Sequence, residues 1–339
     1  MTPQQPSTAP TLPDRLAGMM WAPLVSDAYC LGSHWIYGAE DFSKAFPEGA
    51  KGFDAPAPGH YHEAKSPGDM THYGDAGLVL LESVAAAGEL DPRHYGERFA
   101  ALMEDDAYNG YRDHATKDTL ANARRFKEAH PDRPFDWQQG ADDDQNVTTS
   151  RLAPVVARHA HGPDLIDRVE RAVRVCQNND RAVAYACLHA LMLQDVLAGV
   201  TLREALATQH DRLDRRTAFG AELAGSIDQV LASLGEATGP VAERFGLSCP
   251  LVKALPAALH IALTHEQDLP AAIHASAEAR GDNASRNGLI GAWLGAMHGL
   301  DAVPEAWRKR MNAGERIAKA VDAVIQARAV RRTAEPVLH

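Results

Sequence analysis

Strand-like alternation is almost missing from this chain: period-two apolar runs bounded by hairpin turns do not occur, which excludes a β-sandwich or barrel. Cysteine is scarce, with four in 339 residues. Cys30, Cys176, Cys187 and Cys249 show no C-x-x-C spacing, so buried free thiols are expected rather than a disulfide framework or thiolate metal site. Positive charge is in deficit, with a net charge of −11 and a pI near 5.8. The chain therefore lacks the basic face that nucleic acid or an anionic bilayer surface requires. Long apolar runs are absent too: Val183 to Leu193 is interrupted by His189 and falls short of the roughly 20 residues of a membrane span. These absences leave a small-molecule partner as the expectation.

What is present is helical. Apolar residues make up 45% and charged residues 23%, an ordinary globular balance with enough material for a core. Helical period dominates, and starts are marked by Asp91 before Pro92, Gly162 before Pro163 and Asp180 after two asparagines. The expected fold is all-α, a single compact orthogonal bundle of roughly a dozen or more helices spanning residues 14–330. Its first helix is expected at residues 14–32 and its last at 304–329. The Pro- and Thr-rich residues 1–13 read as a disordered tail without the features of a signal peptide, and 331–339 as a second tail, so a cytoplasmic protein is expected. Residues 37–73 form one long irregular stretch with four prolines and five glycines, of the kind that covers a site.

Polar clusters stand at four helix boundaries. One follows the first helix, from Ser26-Asp27-Ala28 to His34-Trp35-Ile36-Tyr37. Another is His72-Tyr73-Gly74-Asp75, with Asp75 as the expected cap of the next helix. A third is Tyr108-Asn109-Gly110-Tyr111-Arg112-Asp113-His114. The most informative is Gly281-Asp282-Asn283-Ala284-Ser285, which runs into a helix studded with Gly288, Gly291 and Gly295. A carboxylate turn there meets the unpaired N–H groups and positive potential of a helix start, while small residues let the helix approach its neighbours. A merely capped, tightly packed helix is the alternative. If these ends converge, their carboxylates could bind a hard cation or divide acid and base roles. The run Asp142-Asp143-Asp144 reads as a solvated charge run.

The order and spacing of these clusters, over roughly Leu16 to Leu300, resemble the ADP-ribosylglycohydrolase superfamily. The resemblance implies an all-α, often metal-dependent hydrolase with ADP-ribose lying across a two-magnesium site built from aspartates. Here the corresponding metal positions are Asp75, Asp113 and Asp282, and the set is incomplete. Tyr73-Gly74-Asp75-Ala76 keeps one carboxylate of an expected adjacent pair, and Ala284 stands where a second carboxylate is expected after Asp282. His34 takes the place of an acidic residue, and Arg151-Leu152-Ala153-Pro154 lacks the preceding glycine-rich loop.

One magnesium ion or none is therefore the expected cofactor. Asp75, Asp113, Asp282 and His34 are the candidate catalytic residues. Asp27, His60, His62, Lys65, Tyr73, Asn146, Gln177 and Asn283 are the candidate substrate contacts, with capping as the alternative role of Gln177 and its neighbours. The implied function is a divergent hydrolase of an N- or O-glycosidic bond in an ADP-ribose-like or nucleoside-like substrate. The alternative is a catalytically silent ligand-binding or interaction protein on the same fold.

Overall fold

The computed structural model describes residues 9–334, with side chains described to residue 330. Sixteen α-helices follow in order: α1 Leu12–Tyr29, α2 Ala39–Ala45, α3 His72–Ala87, α4 Pro92–Met103, α5 His114–Ala129, α6 Ala153–His159, α7 Leu165–Cys176 and α8 Asp180–Leu197; then α9 Leu202–Arg212, α10 Ala218–Ser233, α11 Thr238–Phe245, α12 Leu251–Thr264, α13 Leu269–Glu278, α14 Asn283–His298, α15 Glu305–Arg308 and α16 Gly314–Ala334. Among the described residues there is no strand, only two isolated bridges, Ala141 with Gln177 and Gln145 with Pro250. The all-α expectation holds. No helix among the described residues is long and apolar enough to cross a membrane.

The centre of the bundle is the pair α1 and α14, whose mutual contact is the most extensive in the molecule. Both are buried nearly all round, so neither shows a one-sided apolar stripe. Small residues make that contact possible. A Cβ on Gly291 would lie 2.8 Å from the carbonyl carbon of Ala22, and one on Gly295 would collide with the Gly18 carbonyl. The glycines cost helix propensity, about 1 kcal/mol each relative to alanine, and in return the two backbones touch. Helices α3, α8, α12 and α13 pack around this pair, and α16 lies across α3.

Several boundaries differ from the expected ones for local reasons. Thr11 caps α1 in a capping box with Asp14, so the helix starts inside the expected tail; residues 1–8 lie outside the described residues. The last helix likewise runs on to Ala334, and residues 335–339 are not described. The expected helix over 304–329 is broken into α15 and α16, because Asn312 turns aside: its backbone N–H donates to Gly68 O at 3.0 Å and its side-chain amide to Asp69 Oδ1 at 2.9 Å. The stretch 37–73 contains α2, and its last two residues already belong to α3. Asp75 does not cap α3. Thr71 does, accepting from Tyr73 N–H at 3.2 Å, and Asp75 sits one turn into the helix.

Candidate functional site

The helix ends converge, and they do so selectively. His34 comes from the turn after α1, His72 from the first residue of α3, Asp113 from the N-cap of α5 and Asp282 from the N-cap of α14. His72 Nε2 lies 3.4 Å from Asp113 Oδ2, and His34 Nε2 lies 3.8 Å from Asp282 Oδ1. All four side chains are buried. Three helix N-termini therefore converge on one buried cluster, and their first-turn N–H groups are largely taken within it: Gly74 N–H by Asp27, Thr116 N–H by Asp113 and Ala284 N–H by His34 Nδ1.

Backbone geometry sets the position of Asp282. Arg280 and Gly281 are consecutive left-handed residues, with φ of 67° and 65°. A Cβ on Gly281 would stand 2.6 Å from Leu247 Cβ, so only glycine fits that turn. Two hydrogen bonds, Trp35 N–H to Gly281 O and Gly281 N–H to Ile36 O, both 2.8 Å, tie it to the segment after α1. Asp282 makes no capping bond; its Oδ2 accepts from the Ser285 hydroxyl, and its Oδ1 has no hydrogen-bond partner.

The two carboxylates are pushed in opposite directions. Burial raises Asp282, against the Ser285 hydrogen bond and the charge of Arg286. Burial would also raise Asp113, but His72 and the Thr116 N–H, which donates to Oδ1 at 2.7 Å, outweigh it and hold this group well below the ordinary carboxylate range. His34 and His62 are held neutral. Burial, reinforced by His62 and His72, lowers His34 strongly; burial and His72 lower His62 to about 2.

The other candidates divide into those that face the chamber and those that build it. Asn283 turns its amide onto Ser33 Oγ at 3.0 Å and its Oδ1 toward His34 Nδ1 at 3.2 Å, so it orients that ring. Tyr73 is buried against Cys249, and both Asp282 and Asp113 act on its hydroxyl to raise it further after burial. His62 is buried with neither ring nitrogen hydrogen-bonded. His60 is a staple: its Nε2 donates to His34 O at 2.6 Å, and its Nδ1 accepts from His62 N–H at 3.0 Å.

Asp27 is fully engaged, accepting from Thr71 N–H at 2.5 Å, Thr71 Oγ1 at 2.7 Å and Gly74 N–H at 3.1 Å, and burial raises it to about 6. Asn146 donates to Ser285 O at 2.9 Å, leaving its own Oδ1 without a partner. Gln177 is a structural bridge, accepting from Thr148 N–H at 2.9 Å and donating to Gln145 O at 2.7 Å. Asn179, not Gln177, caps the helix that follows. Asp143 departs from the solvated reading of its acidic run: it is buried and accepts from Gln145 N–H at 2.9 Å.

Asp75 and Lys65 belong elsewhere. The Lys65 ammonium lies 2.7 Å from Asp75 Oδ2, which also accepts from the Tyr108 hydroxyl at 2.8 Å, and the trio borders a neighbouring cleft of about 580 Å³. An ammonium thus occupies the carboxylate that the expected magnesium site needs. Among the described residues no group of three or more His, Cys, Asp or Glu side chains is placed to hold a metal ion. The chamber histidines do not form one either, since the rings of His34 and His62, and of His62 and His72, lie within 27° and 26° of parallel. Asp75, Asp113 and Asp282 do not make a shared cation site in this arrangement.

Sequence reasoning missed Trp35, His72, Tyr111 and Cys249 as chamber residues. The signal was available in the aromatics: six of the chain's thirteen Trp and Tyr residues, Trp35, Tyr37, Tyr61, Tyr73, Tyr108 and Tyr111, fall in or beside the polar clusters.

Comparison with known proteins gives one consistent result. A family model described as ADP-ribosylglycohydrolase matches residues 8–334. Crystallin J1A of Tripedalia cystophora is 24% identical over 316 residues, covering 90% of this chain and 94% of that protein. Crystallin J1B of the same organism is 23% identical, covering 92% and 97%. A solved structure titled ADP-ribosylglycohydrolase-related protein complex superposes with a TM-score of 0.72 at 21% identity, over 94% of this chain and 99% of that one.

Proposed function

This chain belongs to the ADP-ribosylglycohydrolase family, and from that premise we propose that its buried chamber hydrolyses a glycosidic bond of an ADP-ribose-like or nucleoside-like substrate without a shared magnesium site. The observation that carries the proposal is the contrast between two buried carboxylates: Asp282 keeps an oxygen without a hydrogen-bond partner, whereas Asp113 accepts from Thr116 N–H and lies 3.4 Å from His72 Nε2, so burial raises the first and its partners lower the second. Pairs of titratable groups pushed apart in this way divide acid and base work.

Asp282 gives its proton to the leaving atom as the bond to the anomeric carbon breaks. Asp113 stabilises the positive charge that builds on the sugar and takes a proton from the attacking water as the new carbon–oxygen bond forms. Proton exchange between the two acids and solvent restores the starting state. His34 is neutral and acts by position, fixed by Asn283 beside the unpartnered oxygen of Asp282.

A second reading, a catalytically silent ligand-binding protein, is favoured by the Lys65–Asp75 pair, which neutralises a carboxylate the family's metal chemistry would use. Calorimetry with ADP-ribose, with and without magnesium, followed by turnover assays on ADP-ribosyl substrates, separates the two. The hydrolase reading expects magnesium-independent binding, turnover, and a loss of about 10²–10⁴-fold in kcat for Asp282→Asn with folding retained. Binding without turnover supports the silent reading. Turnover unchanged in both Asp282→Asn and Asp113→Asn overturns the assigned roles.

A further inference from the structure

Trp35 occupies an unusual place. Its indole centroid lies 4.6 Å from the His34 ring, 5.2 Å from His72, 5.9 Å from His62, 5.1 Å from Tyr61 and 5.2 Å from Tyr111. The two tyrosines meet it edge-on, at 87° and 89°. The three imidazoles form a triangle with sides of 5.4, 5.8 and 6.4 Å, which the indole caps.

This fit is good in shape and poor in polarity. The buried indole N–H lies beside Cys249 and has no nitrogen or oxygen acceptor, although buried Trp N–H groups usually find one. Below it, both ring nitrogens of His62 and Nδ1 of His72 make no hydrogen bond. Unmade hydrogen bonds at several buried atoms around one ring describe a cavity suited to a ring with more polar atoms than indole has. Trp35 is also held at φ 61°, a left-handed conformation that non-glycine residues seldom adopt outside functional sites. Its backbone is fastened to Gly281, so the side chain rather than the loop is free to move. Its outer neighbours, Tyr61 and Tyr37, are 60% and 41% exposed, which leaves a way out toward solvent.

We propose that Trp35 is a displaceable plug in a subsite for a planar, uncharged heteroaromatic ring, the base of the nucleoside-like substrate, which takes the place of the indole when the substrate enters. In-plane acceptors and donors on such a ring pair with His62 and His72, while Tyr61 and Tyr111 supply its edge-on walls. The proposal rests on the nucleoside-like reading of the chamber and narrows it to N-glycosidic substrates.

The test is calorimetric titration of the full-length wild type and of Trp35→Ala with adenine, nicotinamide and, as an apolar control, cyclohexanol. Trp35→Ala is expected to bind at least one of the two bases about tenfold or more tightly than wild type, with cyclohexanol unchanged, and the added substitution His62→Ala is expected to abolish the gain. No gain for either base, or an equal gain for cyclohexanol, overturns the proposal. Should Trp35→Ala not fold, tryptophan emission of the wild type is compared with that of Trp35→Phe. Saturating base is expected to shift the wild type toward the emission of an exposed indole and to leave Trp35→Phe unshifted; no difference between them overturns the plug. If wild type binds ADP-ribose while neither base binds Trp35→Ala, the subsite alone falls. If nothing binds either protein, the glycosidic reading falls with it.

Discussion

Acidification from pH 7 to pH 5 is expected to destabilise this protein through the histidines that the fold keeps neutral. Burial lowers His62 to about 2 and His189 to about 3, and it lowers His34 strongly. In the unfolded chain each titrates near 6.5. Below that value the unfolded state binds protons the folded state refuses, so stability falls by about 1.4 kcal/mol per pH unit for each histidine. Over this interval three of them cost about 6 kcal/mol.

Asp27 works in the opposite sense. Its folded value of about 6 lies above its unfolded value, so its contribution is fully present in acid and lost as pH rises through 6. On acidification to pH 5 it returns about 1.4 kcal/mol. Asp113, depressed in the fold, contributes stability that is lost only below its unfolded value near 4, outside the interval. Asp282, Asp75 and Asp143, also raised by burial, return stability in the same sense, so the net loss is smaller than the histidine figure and the histidine part is isolated by substitution. Urea unfolding followed by circular dichroism at pH 7, 6 and 5 measures it, and His62→Leu should reduce the loss across the interval by about 2 kcal/mol. A loss across the interval that is indifferent to His62→Leu would refute the reasoning.

Other perturbations have equally definite outcomes. Lys65→Met leaves the Asp75 carboxylate buried without its counter-ion and should cost about 3–5 kcal/mol by chemical denaturation, most of it recovered in Lys65→Met with Asp75→Asn; a double variant as unstable as the single one would show that the pair is not coupled. Gly295→Ala drives a methyl group into the Gly18 carbonyl and should destabilise by about 2 kcal/mol or more, whereas Gly225→Ala, with nothing within 4 Å of its new Cβ, should stabilise by about 0.5–1 kcal/mol. Equal effects of the two on the denaturation midpoint would show that backbone contact between α1 and α14 is not what fixes glycine there.

The all-α class and the central role of α14 were legible because helical period and small-residue spacing are local properties of the chain. The polar clusters were legible for the same reason, since helix ends carry Asp, Thr and Asn whatever else they do. What escaped was decided at a distance. Asp75 looked like a cap because it opens an apolar run, but Thr71 makes that bond, and Lys65 claims the carboxylate. The break between α15 and α16 carries no strong helix breaker until Gly314; it depends on Gly68 and Asp69, some 240 positions earlier, holding Asn312. Short α2 and α11, seven and eight residues long, lack the length for a clear period. His72 and Trp35 were visible within their clusters, yet only the convergence of four elements turns them into walls of one chamber.

The same convergence compensates the carboxylates one by one. Each is answered separately. Asp27 receives three donors from the start of α3, Asp75 an ammonium and a phenol, and Asp113 an N–H and an imidazole. Distributed compensation of this kind ties Asp27 and Asp75 to their own neighbours, so neither exchanges partners during a reaction without a structural cost, while the partners of Asp113 keep it ionised. Asp282 differs: one oxygen takes a hydroxyl from its own helix, and the other faces a neutral imidazole at 3.8 Å. A buried carboxyl with an uncommitted oxygen is the group whose protonation changes at least cost to its surroundings. That asymmetry, rather than the number of carboxylates retained, is what supports the proposed acid role of Asp282 and the expectation that its substitution affects turnover more than folding.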